Sequence, residues 1–181
     1  IIWVIRLPRV LLAFLVGASL AVSGAVIQSI LKNPLASPYT LGVSSGASLG
    51  VGLYIILGFS IPLVGNMALP VIGFICGLAT VFSVILFANK VDRGLSNNTM
   101  ILAGMVFSLF TNAMLTTITA LNSENITQIT MWQMGSFAMR GWPYVRAIIP
   151  FFIVGLFIVL KYCKEMDVLS FGEDQAKSVG V

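Results

Sequence analysis

This sequence contains no histidine, only two cysteines and few charged residues. Charged residues make up 9% of its 181 residues, whereas soluble domains carry about 25%. Without histidine the chain lacks the commonest general base and metal ligand. Cys76 and Cys163 lie far apart, so we interpret both as free thiols and expect no metal site and no cofactor. The net charge of +4 is small and dispersed, so no nucleic-acid partner is expected.

The chain is instead rich in apolar residues, which amount to 58% of its length. A surface of this composition is suited to lipid, so the sequence predicts a membrane protein in a lipid bilayer. The chain begins at Ile1 without a methionine or a charged leader, which predicts a piece of a longer chain and not a signal peptide.

Intervals without charged residues predict five transmembrane helices. Residues 10–31 are uncharged and would rise roughly 33 Å as a helix, enough to cross the hydrocarbon core. Residues 33–89 are long enough for two spans, broken where turn residues cluster at Ser60-Ile61-Pro62 and Gly65-Asn66. The predicted spans are residues 10–31, 40–59, 67–89, 98–121 and 144–160. The predicted fold class is an all-α, polytopic membrane helical bundle that forms one transmembrane domain.

The positions of lysine and arginine predict the orientation of these spans. One side carries Lys32, Lys90, Arg93, Lys161, Lys164 and Lys177, and the other carries Arg6, Arg9, Arg140 and Arg146. The positive-inside rule places the first group in the cytoplasm. Residues 122–143 then form an outer-face segment, and residues 161–181 form a cytoplasmic segment. Ile126, Ile129 and Trp132 have helical spacing, which predicts a short helix near the outer interface.

The fourth predicted span is unusually polar for a membrane helix. Asn112 and Thr116 are four residues apart and share a face, and Thr117 follows directly. Polar side chains within a bilayer usually face protein or a water-filled cavity. These three residues are therefore candidates for a translocation path, and hydrogen bonding between helices is the alternative interpretation.

Glycines recur at four-residue spacing in the second and third predicted spans. Gly42, Gly46 and Gly50 form one series, and Gly73 and Gly77 form another. Because small residues let helix backbones approach each other, this spacing predicts close packing of membrane helices.

Three blocks of sequence follow one another along nearly the whole chain. The first runs from Arg6-Leu7-Pro8-Arg9 through Gln28 to Asn33-Pro34-Leu35-Ala36, and the second is Trp132-Gln133-Met134-Gly135-Ser136. The third is Phe171-Gly172-Glu173-Asp174-Gln175-Ala176-Lys177-Ser178-Val179-Gly180. Together they resemble the FecCD/BtuC-type permeases, the membrane subunits of ATP-binding-cassette (ABC) importers for ferric siderophores, heme and cobalamin. The resemblance implies about half of a ten-helix permease.

This resemblance also implies a function and a set of partners. The chain would belong to a permease subunit in the cell membrane of a bacterium, paired with an identical or homologous second permease subunit. Cytoplasmic ABC ATPase subunits would supply energy, and an extracytoplasmic substrate-binding protein would deliver cargo. Ferric siderophore complexes are the favoured cargo, with heme or cobalamin as the alternative.

Two features of the sequence indicate the energy source for transport. It contains no G-x-x-x-x-G-K-[ST] phosphate loop, so the chain is not expected to be an enzyme, and a separate subunit would hydrolyse ATP. A secondary transporter is the rival class. Such proteins usually need ionisable residues at membrane depth, and no predicted span carries Asp, Glu or His well inside it.

The resemblance places Arg6 and Arg9 at the outer mouth of the permease. It implies that they pair with carboxylates of the substrate-binding protein, a role suited to the planar guanidinium. The alternative is that both side chains extend to lipid phosphates.

The resemblance also makes the end of the chain a coupling segment for the ATPase subunit. Ser170 and Glu173 have the spacing of a capping box, which predicts a short helix that begins after Ser170. The predicted contact set is Gly172, Glu173, Ala176 and Gly180. A tail that lies on the membrane surface is the alternative.

Overall fold

The computed structural model describes residues 2–59, 65–94, 96–138 and 140–170, with backbone alone at Asn66 and Ser170. Within these ranges the chain is helical and contains no β-strand. The helices are α1 (Leu7–Ile30), α2 (Val43–Leu57), α3 (Ala68–Val91), α4 (Asn97–Leu121), α5 (Ile126–Met134), α6 (Trp142–Lys161) and α7 (Cys163–Ser170). A π-helical turn, Ile2–Arg6, precedes α1, and 3₁₀ turns occupy Pro38–Leu41, Gly65–Met67 and Ser123–Asn125.

The predicted all-α fold is confirmed, with one difference in the second span. In the ranges that the structure describes, four helical segments are long and apolar enough to cross a membrane: Ile2–Leu31, Ala68–Val91, Asn97–Leu121 and Trp142–Lys161. The second span, predicted for residues 40–59, is broken near its start instead of continuous. A 3₁₀ turn ends at Leu41, Gly42 adopts a left-handed conformation with φ 75°, and only then does α2 begin. The predicted turn at Ser60-Ile61-Pro62 lies outside the described residues.

The helices form two compact units, and the first combines Ile1–Pro38 with Phe137–Val181. In this unit α1 contacts α6 and α7. The indole N–H of Trp142 donates to the Trp3 carbonyl at 3.1 Å, and the two rings lie 5.8 Å apart. At the other end of α1, the Ser29 hydroxyl donates to the Met166 carbonyl of α7 at 3.2 Å. Since α7 occupies part of the predicted polar tail, that tail begins as an ordered helix.

The end of α1 is closed by a hydrogen-bonded turn that includes part of the first sequence block. Lys32 adopts φ 47°, the N–H of Asn33 donates to the Gln28 carbonyl (3.2 Å), and that of Lys32 donates to the Ser29 carbonyl (3.3 Å). This is the Schellman arrangement, which usually places glycine at the left-handed position. The Gln28 amide also donates to the Pro34 carbonyl at 3.1 Å. Asn33 Oδ1 accepts the N–H of Leu35 at 2.9 Å. The side chains of Gln28 and Asn33 therefore both stabilise the Asn-Pro-Leu-Ala turn.

The second unit, Tyr39–Ser136, contains α2, α3, α4 and α5. Its helices meet at glycines, as their four-residue spacing predicted. A Cβ on Gly46 would lie 1.8 Å from Thr80 Oγ1, and one on Gly50 would lie 2.2 Å from Cys76 Sγ. A Cβ on Gly104 of α4 would lie 2.1 Å from the Thr40 carbonyl oxygen. Packing this close replaces the hydrophobic driving force that is absent between helices in lipid.

The predicted short helix in the outer-face segment is confirmed as α5, which packs against α2. Ile129 is 2% exposed and lies beside Gly52, and the Trp132 ring contacts Gly73. A glycine with φ 71°, Gly135, ends the helix. Two apolar side chains therefore hold α5 on glycines of α2 and α3.

A carboxylate organises the connection between α3 and α4. Asp92 Oδ1 accepts the N–H of Gly94 (2.9 Å), and Oδ2 accepts the N–H of Ser96 (3.1 Å) and the hydroxyl of Thr99 (3.3 Å). Hydrogen bonding from the Ser96 side chain first, and from the backbone N–H groups of Gly94 and Ser96 next, holds the pKa of Asp92 below its usual value.

Candidate functional site

Two polar clefts adjoin each other in the second unit. The first, which we call the serine cleft, has a volume of about 380 Å³ and is lined by Tyr39, Ser44, Ser45, Ser48, Ser108, Asn112 and Gln133. The second, the threonine cleft, has a volume of about 490 Å³ and is lined by Asn112, Leu115, Thr116, Thr119, Ala120, Ile126, Ile129, Thr130 and Gln133. Asn112 and Gln133 belong to both linings, so the clefts are continuous along α4 and α5.

The structure separates the three residues that the sequence assigned to a path. Asn112 and Thr116 line the clefts, whereas Thr117 lines neither of them. Both threonine hydroxyls are satisfied within α4, since Thr116 donates to the Asn112 carbonyl and Thr117 to the Ala113 carbonyl, each at 2.9 Å. The bond within the helix is therefore common to both threonines. Of the three predicted residues, only Asn112 and Thr116 lie together in the lining of a cleft.

Six residues of the serine-cleft lining were not selected from the sequence: Tyr39, Ser44, Ser45, Ser48, Ser108 and Gln133. Ser44 and Ser48 are four residues apart, and this hydroxyl spacing on an apolar span was the available signal. Gln133 lies in the predicted outer-face segment, and nothing in its local sequence indicates that it lines the same clefts as Asn112. Its position beside Asn112 follows from the anchoring of α5 by Ile129 and Trp132.

The chemistry of the clefts is that of neutral hydrogen-bonding groups. Their polar linings consist of hydroxyls and carboxamides, and no Asp, Glu, Lys, Arg or His contributes to them. In the ranges that the structure describes, no group of three or more His, Cys, Asp or Glu side chains could hold a metal ion. Such a surface can hydrogen-bond to a polar molecule, and Tyr39 is the one residue in these linings whose oxygen is a common ligand of ferric iron.

The two arginines predicted at the outer mouth, Arg6 and Arg9, lie in the first unit, where α1 begins. Arg6 is the last residue of the π-helical turn, and Arg9 lies in the first turn of α1 beside the buried Pro8. Both side chains are exposed. Neither forms an ion pair or a hydrogen bond with a residue that the structure describes.

The predicted coupling set of Gly172, Glu173, Ala176 and Gly180 lies outside the described residues. Ser170 is the last residue of α7 and has helical backbone. Its predicted capping partner, Glu173, lies outside the described residues, so the capping box stays a prediction.

Comparison with known proteins assigns this chain to a family. The model of the FecCD transport family matches residues 1–181. YvrB of Bacillus subtilis, named an uncharacterized ABC transporter permease protein, is 45% identical over 177 residues, which cover 98% of this chain and 50% of that protein. The hemin transport system permease protein HmuU of Yersinia pestis is 34% identical over 186 residues, which cover 99% of this chain and 54% of that protein.

Solved structures give the same result for the fold. A structure described as an inward-facing conformation of a metal-chelate type ABC transporter has a TM-score of 0.86 and 35% identity. The match covers 99% of this chain and 56% of that chain. Other relatives at similar identity are named for import of cobalamin, Fe(3+) dicitrate and molybdate. This chain spans about half the length of the curated relatives it matches.

Proposed function

Because this chain belongs to the FecCD transport family, we propose that it is about half of the permease subunit of a binding-protein-dependent ABC importer. The observation that carries the proposal is the pair of continuous polar clefts on membrane helices, with Asn112 and Gln133 between them. Polar side chains at membrane depth that do not hydrogen-bond between helices can line a path for a solute.

We propose ferric siderophore complexes as the cargo. Apart from the phenol of Tyr39, the cleft linings contain no side chain that commonly binds ferric iron, and one phenol cannot replace a multidentate chelator. A complex that keeps its own metal ligands is therefore a suitable passenger. Heme or cobalamin is the alternative cargo, supported by relatives with those names. Uptake of radiolabelled ferric siderophore, hemin and cobalamin by cells with and without the full-length gene distinguishes these cargoes.

We propose that Arg6 and Arg9 dock an extracytoplasmic substrate-binding protein through its carboxylates. Both guanidiniums are exposed, and no described carboxylate neutralises them. Arg6→Glu in the full-length permease should weaken the affinity for the binding protein about tenfold, because attraction becomes repulsion. Arg93→Glu at the predicted cytoplasmic end is the matched control and should leave the affinity unchanged. Equal affinities for both variants and the parent would remove Arg6 from the docking surface.

We propose that separate ABC ATPase subunits bind the segment that contains Gly172, Glu173, Ala176 and Gly180, and that a second permease subunit completes the assembly. Affinity purification of the full-length parent from membranes should recover an ATPase subunit in stoichiometric amount. Glu173→Lys should lose that subunit, whereas Glu124→Lys, the same exchange in the outer-face segment, should retain it. Purification of the parent without any ATPase subunit would support the rival class, a secondary transporter. The mass of the purified complex shows whether the second permease subunit is identical or homologous.

A further inference from the structure

The break in the second span directs the start of a helix into the serine cleft. Gly42 precedes α2 and has no side chain that could cap the first turn. Ser44 and Ser45, in that first turn, line the cleft. The N–H groups at the start of a helix lack partners within the helix and carry about half a positive charge. The cleft wall at this point therefore favours negative charge.

A second, independent feature of the cleft is the hydroxyl of Ser48. This residue is 9% exposed and lines the same cleft. Its hydroxyl has no hydrogen-bond partner among the residues that the structure describes. Its neighbour Ser45, 8% exposed, instead donates to the Gly42 carbonyl at 2.9 Å. Among the described residues the only fully buried side-chain atom without a partner is Glu165 Oε2, so the unpaired Ser48 hydroxyl is open to the cleft and available to a hydrogen-bonding group that enters it.

The remaining polar groups around the cleft are compatible with an oxygen-rich anion. Ser108, Asn112 and Gln133 add hydroxyl and carboxamide donors, and no carboxylate of the lining opposes a negative charge. Ser108 and Asn112 lie in the middle turns of α4, away from both of its ends. In membrane transporters, broken helices at this depth direct their N-termini at anionic groups of the substrate.

We propose that the serine cleft binds an anionic oxygen group of the cargo, a carboxylate or an oxyanion, through the start of α2 and the hydroxyl of Ser48. The proposal rests on the proposed function, because cargo must pass through the clefts. All donors are neutral, so the anion is held without a formal counter-charge and can leave again. The threonine cleft, which adjoins the serine cleft at Asn112 and Gln133, lets the cargo pass and has no preference for anionic groups.

Thiol reagents of opposite charge test the preference even when the cargo itself is unidentified. The full-length permease with its ATPase, in nanodiscs and with Cys76→Ala and Cys163→Ser, would carry either Ser44→Cys or Thr116→Cys. An anionic and a cationic methanethiosulfonate of similar size would be compared at each position. The ratio of the anionic to the cationic rate should be about tenfold higher at residue 44 than at residue 116. A lowered thiol pKa at a helix start accelerates both reagents and cancels in the ratio.

The outcomes separate this proposal from the function on which it rests. Equal ratios at the two positions would overturn the anion site while leaving a water-filled path intact. If neither position reacts, with or without ATP, the clefts are closed to water and the proposed path fails with it.

Protection by a small carboxylate provides the second readout. Citrate at millimolar concentration should slow modification of Ser44→Cys several-fold, and triethyl citrate, its neutral ester, should not. Adding Ser48→Ala should abolish the protection, while the variant still purifies with its ATPase subunit. Equal protection by citrate and its ester, or protection that survives Ser48→Ala, would overturn the assignment.

Discussion

The backbone of α4 touches the carbonyl of Thr40 at Gly104. A Cβ at this position would lie 2.1 Å from the Thr40 oxygen and 3.0 Å from the Leu41 Cα, and both are backbone atoms that cannot rotate away. The contact lies where the second span breaks before Gly42. Irregular backbone at membrane depth is tolerated where protein covers it, and here the glycine face of α4 is the cover.

This contact predicts that Gly104→Ala destabilises the protein by about 3 kcal/mol, since overpacking against backbone forces helices apart. Gly52→Ala is the matched control, because its Cβ would meet only the ends of side chains, Leu115 Cδ1 at 2.7 Å and Ile129 Cδ1 at 4.0 Å. That variant should lose about 1 kcal/mol or less. Thermal unfolding of the full-length protein in detergent measures both. Equal losses of stability in the two variants would mean that the backbone at the break in the second span can move to accommodate the added methyl group.

The left-handed Lys32 predicts an unusual order of substitutions at the end of α1. Its φ of 47° suits glycine and strains a β-branched side chain. Lys32→Gly should therefore be more stable than Lys32→Val by at least about 1 kcal/mol. Both variants remove the same lysine side chain, so their difference reports the backbone alone. Urea or thermal unfolding that ranks valine above glycine would contradict the Schellman turn described for this end.

The lowered pKa of Asp92 predicts a pH-dependent start of α4. A carboxylate with a depressed folded-state pKa contributes stability above its unfolded-state pKa of about 3.9, and this contribution is lost as the pH falls through the lower folded value. Asp92→Asn should therefore lower the amide protection factors of Gly94 and Ser96 at pH 7. As the pH falls below the unfolded-state value and through the folded one, the parent protein should approach the variant. Hydrogen exchange followed by mass spectrometry measures this, and a difference that persists unchanged at low pH would exclude the carboxylate as the cause.

The different positions of Thr116 and Thr117 predict different accessibility of neighbouring residues. Thr116 lines the threonine cleft and Thr117 does not, although both are polar and exposed on α4. In the cysteine-free background, Thr116→Cys should react with a charged thiol reagent about tenfold faster than Thr117→Cys, because water reaches only a cleft wall. Leu109→Cys, on an apolar and exposed part of α4, sets the rate expected in lipid. Reaction of Thr117→Cys at the rate of Thr116→Cys would move the path to another face of the helix.

The sequence by itself determined the class of protein, the all-α fold and the family. These properties depend on composition, on the length of uncharged runs and on local motifs, all of which are independent of distant contacts. It also predicted the short helix α5 and the close packing at Gly46 and Gly50, because helical spacing is local. It did not predict α7, because that helix packs against α1, which is distant in the sequence.

Only the tertiary structure decided what the polar residues of the spans face. Polarity made Asn112, Thr116 and Thr117 equivalent as candidates, and both threonine hydroxyls bond within α4, so only the neighbouring helices distinguish Thr116, which lines a cleft, from Thr117. The serine cleft depends on three separate features: the break at Gly42, the packing of Gly104 over that break, and the packing of α5 on α2, which places Gln133 in the same lining as Asn112. Each results from contacts between residues far apart in the chain, and the energy of such contacts is decided by how the helices pack.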